Sequence, residues 1–371
     1  MSSQYLHIVA FNIPYPADYG GVIDIYFKIK ALSQAGVRII LHCFEYGRLH
    51  SKELEDLCFK VYYYHRKRGI KYFFYSDPYI VVTRNAISMP KNLLGDSFPV
   101  LFEGLHTTGI LKQCTTAKRI TLVRTHNIEH EYYRGLARST RNLFHKVFFL
   151  SEAAKLKRYE KILHHAGHIL SIARHELEYF RENYGDVNFI PAFHRFEELS
   201  SLPGSGTYLL FHGNLGVVDN SEIFLRLARE QLSHLPYQVI VAGKNPSRRF
   251  RKKISAYPNI RLHADPGDSE LDRLISQAHI NLLFTGQSTG IKLKLLHALF
   301  VGRHCLVNPE MVEGSGLEHL CTIAGSDREL ELQIHDLMLQ PFDESQVKKR
   351  KKALQEYSNR ASAEKILRLL I

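Results

Sequence analysis

The segment Thr285-Gly286-Gln287-Ser288-Thr289-Gly290-Ile291-Lys292-Leu293-Lys294-Leu295-Leu296-His297-Ala298-Leu299 joins a glycine loop to an amphipathic, helix-patterned run that carries two lysines at its start. The apolar residues Ile280-Asn281-Leu282-Leu283-Phe284 before it read as a buried strand, so the order is strand, loop, helix. A helix N-terminus offers unbonded N–H groups and roughly +0.5 charge, which suits a phosphate. Lys292 and Lys294 would reinforce that field. A lysine pair on a helix is more commonly just solvated, so the rest of the chain has to discriminate.

A second polar cluster, Arg124-Thr125-His126-Asn127-Ile128-Glu129-His130-Glu131-Tyr132-Tyr133, follows the strand-like run Ile120–Val123, where a ligand loop belongs. The spacing His126-x-x-Glu129-His130 matches the inverted zinc-protease motif, in which two histidines one helical turn apart hold zinc beside a glutamate base. That motif should lie inside one helix, whereas His126 directly follows a strand, and no third ligand stands out. In the plainer reading His126 caps or packs under the next helix. His164, His165 and His168 fall at a helix end and suit its dipole.

The elements that must position these groups alternate between strand and helix patterns along the chain, as parallel α/β folds do. Strands are expected at Leu6–Asn12, Val37–Cys43, Lys60–Tyr64, Val100–Glu103, Ile120–Val123, Ile169–Ser171 and Val187–Ile190, with a long helix over Leu143–His165. Ser200-Ser201-Leu202-Pro203-Gly204-Ser205-Gly206 reads as a hinge or linker. The pattern restarts with strands at Tyr208–His212, Gln238–Ala242, Ile260–His263, Ile280–Phe284 and Cys305–Val307, and Asp219–Glu222 has the form of a capping box. At 371 residues the chain exceeds one hydrophobic core. The expected fold class is α/β, with two Rossmann-like domains facing a cleft.

Composition narrows the partners. A formal net charge of +12 points to an anionic ligand or surface. Five scattered cysteines, Cys43, Cys58, Cys114, Cys305 and Cys321, fit reduced thiols rather than disulfides or a zinc cage. No apolar run approaches the roughly 20 residues of a membrane span, and no secretory leader pattern opens the chain, so a cytoplasmic location is expected. The basic run Lys348–Lys352 reads as the wet side of a helix. Val61–Tyr75 mixes tyrosines and phenylalanines with cations, which suggests peripheral contact with anionic lipid; alternate tyrosines of a core strand would give the same pattern.

Taken in order, four segments resemble the GT-B glycosyltransferases, specifically their retaining, nucleotide-sugar-dependent group (family 4-like, group 1). They are Pro16-Ala17-Asp18-Tyr19-Gly20-Gly21, Arg124–Glu129, Phe211-His212-Gly213-Asn214-Leu215 and Gly290–Leu299. The resemblance covers nearly the whole chain. It implies an N-terminal acceptor-side domain over 1–200, a C-terminal nucleotide-sugar domain over 207–354, and a final helix over about 355–371 returning to the first. It places Gly20 and Gly21 against the donor diphosphate or sugar, His126 near the transferred sugar, Lys292 and Lys294 on the pyrophosphate, and Gly213 and Asn214 along the nucleotide. Gln287, Thr289, Gly290 and His297 would complete the donor site. The group's paired glutamates, Glu-x7-Glu, would align with Thr289 and His297, neither of them acidic; Gln287 and His297 are the residues left to contact sugar and ribose.

The resemblance implies transfer of a sugar from a nucleotide diphosphate sugar to a lipid-linked or polysaccharide acceptor, with retention and with no cofactor or metal. The partners would be the donor and a glycan or lipid-linked acceptor, with the inner face of a membrane as a further candidate and no nucleic acid. The alternatives are a catalytically degenerate nucleotide- or partner-binding relative, and a nucleotide-sugar epimerase.

Overall fold

The computed structural model describes residues 4–140, 142–286 and 292–370. Two compact units emerge, the first built from residues up to Arg195 together with the stretch from Asn359, the second from the described residues between Phe196 and Ser358. Among the described residues of unit one, β1 (Tyr5–Ala10), β2 (Arg38–Glu45), β3 (Lys60–His65), β4 (Val100–Glu103), β5 (Thr121–Thr125), β6 (His168–Ser171) and β7 (Val187–Phe189) form one parallel sheet in the order β3-β2-β1-β4-β5-β6-β7. In unit two, β8 (Tyr208–His212), β9 (Gln238–Gly243), β10 (Ile260–Ala264), β11 (Ile280–Leu283), β12 (His304–Val307) and β13 (Thr322–Ile323) form a second, ordered β10-β9-β8-β11-β12-β13. Both are the two parallel α/β sheets expected from the alternating pattern.

The strands are continuous apolar runs because a parallel sheet is covered on both faces. In unit one α1 (Gly20–Gln34) packs Ile25, Ile29 and Leu32 on one face of the sheet beside Leu6, Ile8 and Leu41. Helices α2 (Glu129–Ser139) and α3 (Leu143–Tyr159) lie further along the same chain, and Leu156 joins the core of the other face. In unit two the key helices are α4 (Val218–Glu230), α5 (Asp268–Gln277), α6 (Leu293–Val301) and α7 (Glu344–Leu354). The final helix, α8 (Asn359–Arg368), adds Ala363 and Ile366 to the α1 side of unit one's core, and Asn359 bonds the backbone of His194.

Several local expectations change. Asp219–Glu222 does not cap α4, which already begins at Val218 with Val217 as its N-cap and no side-chain cap bond. The Ser200–Gly206 stretch is tied to unit two: Ser200 and Ser201 N–H groups donate to the Phe300 carbonyl, and Gly204 pairs with Phe342. The basic run in α7 is not uniformly wet. Arg350 is buried and its guanidinium donates to carbonyls of Gly302, Leu299 and Arg303, which end α6 and lead into β12. In β3, Tyr64 is buried and bonded to His42, while Tyr62 and Tyr63 are half-buried and pack against the core. The cysteines are all free thiols.

Gly243 closes β9 where the chain passes the β8 loop, and a Cβ there would overlap the carbonyl oxygen of Gly213. Gly243→Ala is expected to destabilise unit two by about 3 kcal/mol, since backbone on both sides has no room to yield. Gly267→Ala, where a Cβ meets nothing within 4 Å, is the control. Urea unfolding followed by circular dichroism should move only the Gly243 variant's transition; equal midpoints for both variants would contradict the packing.

Candidate functional site

In both sheets the strand order reverses next to the first strand, at β1/β4 and at β8/β11. Ligands of open α/β sheets bind beyond the carboxyl ends of strands at such points. The polar residues at these two places are therefore the ones to weigh.

At the first, Glu103 ends β4, Arg124 lies in β5, His126 follows it, and Asp24 and Lys28 come from successive turns of α1. Lys28 Nζ donates to Asp24 Oδ2 at 2.8 Å and to Glu103 Oε1 at 2.6 Å. Arg124 holds both Asp24 oxygens at 2.9 Å, in the bidentate geometry of a guanidinium fork, and donates to the Ile190 and Pro191 carbonyls. Asp24 Oδ1 also accepts from the Phe193 N–H at 2.8 Å. His126 Nε2 lies 2.9 Å from Glu103 Oε2.

Burial of Asp24 favours its neutral form, but Arg124 and Lys28 outweigh it and hold the carboxyl well below the usual range. Glu103 is lowered in the same way, burial being overcome by Lys28 and His126. For Lys28 the outcome reverses: burial dominates the attraction of its two carboxylates and the ammonium pKa falls. With Glu103 ionised, His126 Nε2 donates to it, and this contact fixes the orientation of the ring.

Asp24, Glu103 and His126 place ligand atoms within 4.8 Å of one another, a spacing a metal ion could use. Lys28 and Arg124 already bond those carboxylate oxygens, so the donor set is matched to side-chain cations and does not fit a further one. The zinc spacing also dissolves. His126 precedes α2, whereas His130 lies inside it with Nδ1 3.4 Å from Glu160.

Gly20 and Gly21 form the start of α1, and Gly21 faces the ring of Phe11, whose tip would be 2.7 Å from a Cβ. Phe11 meets His126 edge-on at 5.5 Å and His106 at 5.1 Å. The structure thus brings Gly21 and His126 against one aromatic ring. Beyond it, His106 Nδ1 and Glu129 Oε1 are buried 4.0 Å apart, and neither has a hydrogen-bond partner among the described residues.

At the second reversal, β8 delivers His212 and then Gly213 and Asn214. Asn214 Oδ1 accepts from the Gly216 N–H, and its carbonyl accepts from Asn220, which fixes the turn into α4. Lys292 is the N-cap of α6. Lys294 lies in its first turn, donates to the Phe284 carbonyl at 2.7 Å and stands 5.7 Å from the Phe211 ring. Burial, then the charge of Lys292, lowers its pKa to about 8. One turn on, His297 Nε2 lies 2.6 Å from Asp272 of α5 and its ring meets His212 edge-on at 5.6 Å. Lys294, His297 and His212 therefore converge, and His212 Nε2 is buried without a hydrogen-bond partner among the described residues. Burial, then His297 and Lys294, keeps His212 neutral. Gln287, Thr289 and Gly290 lie outside the described residues.

Sequence reasoning missed Asp24, Lys28, Glu103, His212 and Asp272 as site residues. A signal existed for the first two. Asp24 and Lys28, four apart, interrupt the buried face that Val22, Ile25, Ile29 and Leu32 define, and charges on an apolar face need partners. Nothing local marked Glu103, whose role depends on β4 lying beside β1 and β5.

Glu129 offers a pH test. Burial raises its pKa from 4.5 to about 7, against the Asn127 hydrogen bond and Arg84. The folded chain thus keeps a proton that the unfolded chain releases, and this contribution to stability, full below about 4.5, is lost as pH rises through about 7. Glu129→Gln is expected to be more stable than wild type by about 1–3 kcal/mol near pH 8 and by much less near pH 5. Chemical denaturation at the two pH values checks it; a constant difference would reject the assignment.

No family model matches the sequence. An uncharacterized 44.6 kDa protein in the cps region of Klebsiella pneumoniae is 27% identical over 333 residues, which span 84% of each chain. Among solved structures, sucrose-phosphate synthase from Thermosynechococcus elongatus superposes with a TM-score of 0.69 at 14% identity, covering 99% of this chain and 98% of that one. Anabaena Alr3699/HepE, solved with UDP-glucose, gives 0.64 at 10% identity over 99% of both chains. Acinetobacter baumannii MurG gives 0.55 at 11% over 99% of both. The structural neighbours are GT-B glycosyltransferases, and the two parallel-sheet units have that fold.

Proposed function

We propose that this chain is a glycosyltransferase that moves a sugar from a nucleotide diphosphate sugar to a glycan or lipid-linked acceptor, with retention of configuration. The observation that carries the reading is the convergence of Lys294, His297 and a His212 nitrogen without a partner among the described residues, where the strand order of unit two reverses. Positive charge at a helix start suits the diphosphate that leaves as the sugar–phosphate bond breaks, and fixed charge of this kind lowers the barrier without a strong base. The UDP-glucose bound to the Anabaena neighbour supports a donor of this class.

In this reading Lys292 and Lys294 neutralise the pyrophosphate, and Gly213 and Asn214 run along the nucleotide. Gln287, Thr289 and Gly290 would complete the donor site. His297 faces the ribose. Gly20, Gly21 and His126 would contact the sugar, with Glu103 orienting the imidazole. Retention would place acceptor attack on the face from which the diphosphate departs, so the leaving phosphate itself can take the acceptor proton. No metal is required for these steps.

A second reading follows from one observation. The positions aligned with the paired glutamates are Thr289 and His297, and His297 is engaged by Asp272. A binding protein without turnover would keep the nucleotide contacts and lack transfer.

Lys292→Ala and Lys294→Ala are each expected to weaken nucleotide diphosphate binding ten- to hundred-fold, from the loss of a charge-assisted contact worth about 1.5–3 kcal/mol. His126→Ala should instead lower turnover more than nucleotide affinity. Calorimetry with UDP and GDP, followed by initial rates against a panel of nucleotide sugars and pooled acceptors, separates the outcomes. Unchanged affinity in both lysine variants would remove the phosphate site, whereas normal affinity of the wild type without transfer or donor hydrolysis would favour the binding protein.

A further inference from the structure

Helix α3 is apolar on two opposite faces. One carries Phe148, Phe149, Ala153 and Leu156 inward, with Leu156 in the core and Phe148 against Phe73 and Tyr79. The other carries Leu143, Phe144, Val147 and Leu150, which the spacing of 3.6 residues per turn gathers on one stripe. These four are between 48% and 87% exposed. The 3-10 helix Ile70–Phe74 lies alongside: its Phe73 packs on Phe148, Lys155 Nζ donates to the Phe73 carbonyl at 2.6 Å, and Arg158 reaches the Ser76 carbonyl. Ile70, Phe74 and Tyr75 are exposed there as well. Scattered surface leucines need no explanation, but an unbroken apolar stripe beside a second exposed aromatic turn does.

We propose that this face of unit one, the outer stripe of α3 with the Ile70–Tyr75 turn, seats the protein on an anionic lipid surface. Charge identifies the occupant. Between Asn142 and Lys161 the exposed charged side chains are Lys146, Lys157, Arg158 and Lys161, while the carboxylates of that stretch, Glu152 and Glu160, are buried. Arg68 and Lys71 are exposed in the neighbouring turn, and Asp77 is the nearest exposed acid after it. An apolar stripe rimmed by cations enters the interface with its side chains among acyl chains and its lysines at the phosphates. A symmetric pairing with a second copy would instead set one cationic rim against another. The inference is independent of whether the chain transfers sugar.

The sequence contains no tryptophan, so a single introduced one reports on its own surroundings. In the full-length protein, Phe144→Trp is expected to shift its emission to the blue on vesicles of phosphatidylcholine mixed with phosphatidylglycerol, and not on phosphatidylcholine alone. High salt should reverse the shift. Leu339→Trp, exposed at the end of the helix Asp327–Leu339 in unit two, should not respond. Vesicle sedimentation should show at least a roughly ten-fold loss of binding for Val147→Glu with Leu150→Glu, and a comparable loss for Lys146→Glu with Lys157→Glu. Unchanged Phe144→Trp emission on anionic vesicles, or an equal response to neutral ones, overturns the proposal. So does a blue shift without vesicles that grows with protein concentration, which would assign the stripe to a second copy.

Discussion

The geometry of unit one depends on how four buried charges are paired. Asp24, Lys28, Glu103 and Arg124 are buried, and any of them left alone would cost several kcal/mol of lost solvation. Together they sum to zero and each oxygen has a donor. The pairing requires α1 to present Asp24 and Lys28 toward the ends of β4 and β5, and requires the chain at Ile190–Phe193 to pass close enough for its carbonyls and N–H to take part. Burial of this kind specifies one arrangement more than it stabilises it, since an apolar core of equal volume would tolerate neighbouring registers. His126 inherits its orientation from this network through Glu103. The residue nearest the proposed chemistry is thus held by a group whose own position is fixed by three others.

The same topology, used twice, yields opposite electrostatics. At the β1/β4 reversal the two carboxylates match the two permanent cations, so the site offers oriented hydrogen-bonding groups and no net field. The β8/β11 reversal carries Lys294 and Lys292 at a helix start, beside histidines held neutral or bonded to a single aspartate. A neutral, hydroxyl-rich sugar suits the first environment and a diphosphate the second.

Much of the fold is legible in the sequence because parallel strands buried on both faces are short apolar runs, and those runs differ from the structure by only a residue or two at their ends, as at Leu6–Asn12 against Tyr5–Ala10. Capping was less legible. Asp219–Glu222 has the residue types of a capping box, yet α4 starts ahead of it at Val218, because the Asn214 turn sets the chain direction first. Partial burial in basic segments was also hidden. Arg350 reads like its lysine neighbours, but its planar guanidinium fork reaches the carbonyls of Leu299, Gly302 and Arg303 together, and no local pattern places those carbonyls beside it. Among the candidate residues, His126 and Lys294 stand out by type and local setting, and Gly213 only through the family resemblance. Glu103 and His212 do not, since their meaning comes from strand order, which no local pattern encodes.

Lys294 shows why burial and binding should be considered together. Its side chain is withdrawn from water, its pKa falls to about 8, and its ammonium is bonded to the Phe284 carbonyl at the end of β11. Near neutral pH it still carries its proton, but a charge held at the cost of lost hydration is poised to gain from a nearby anion. A diphosphate arriving in the proposed donor site would restore the missing counter-charge and draw the pKa upward. Binding above about pH 8 would then take up a proton, and affinity would fall as pH rises there. A solvated lysine would gain less from the same ligand, because water already stabilises it. In the proposed donor site, binding strength would therefore concentrate in the partly buried lysine at the end of the strand beside which the order reverses.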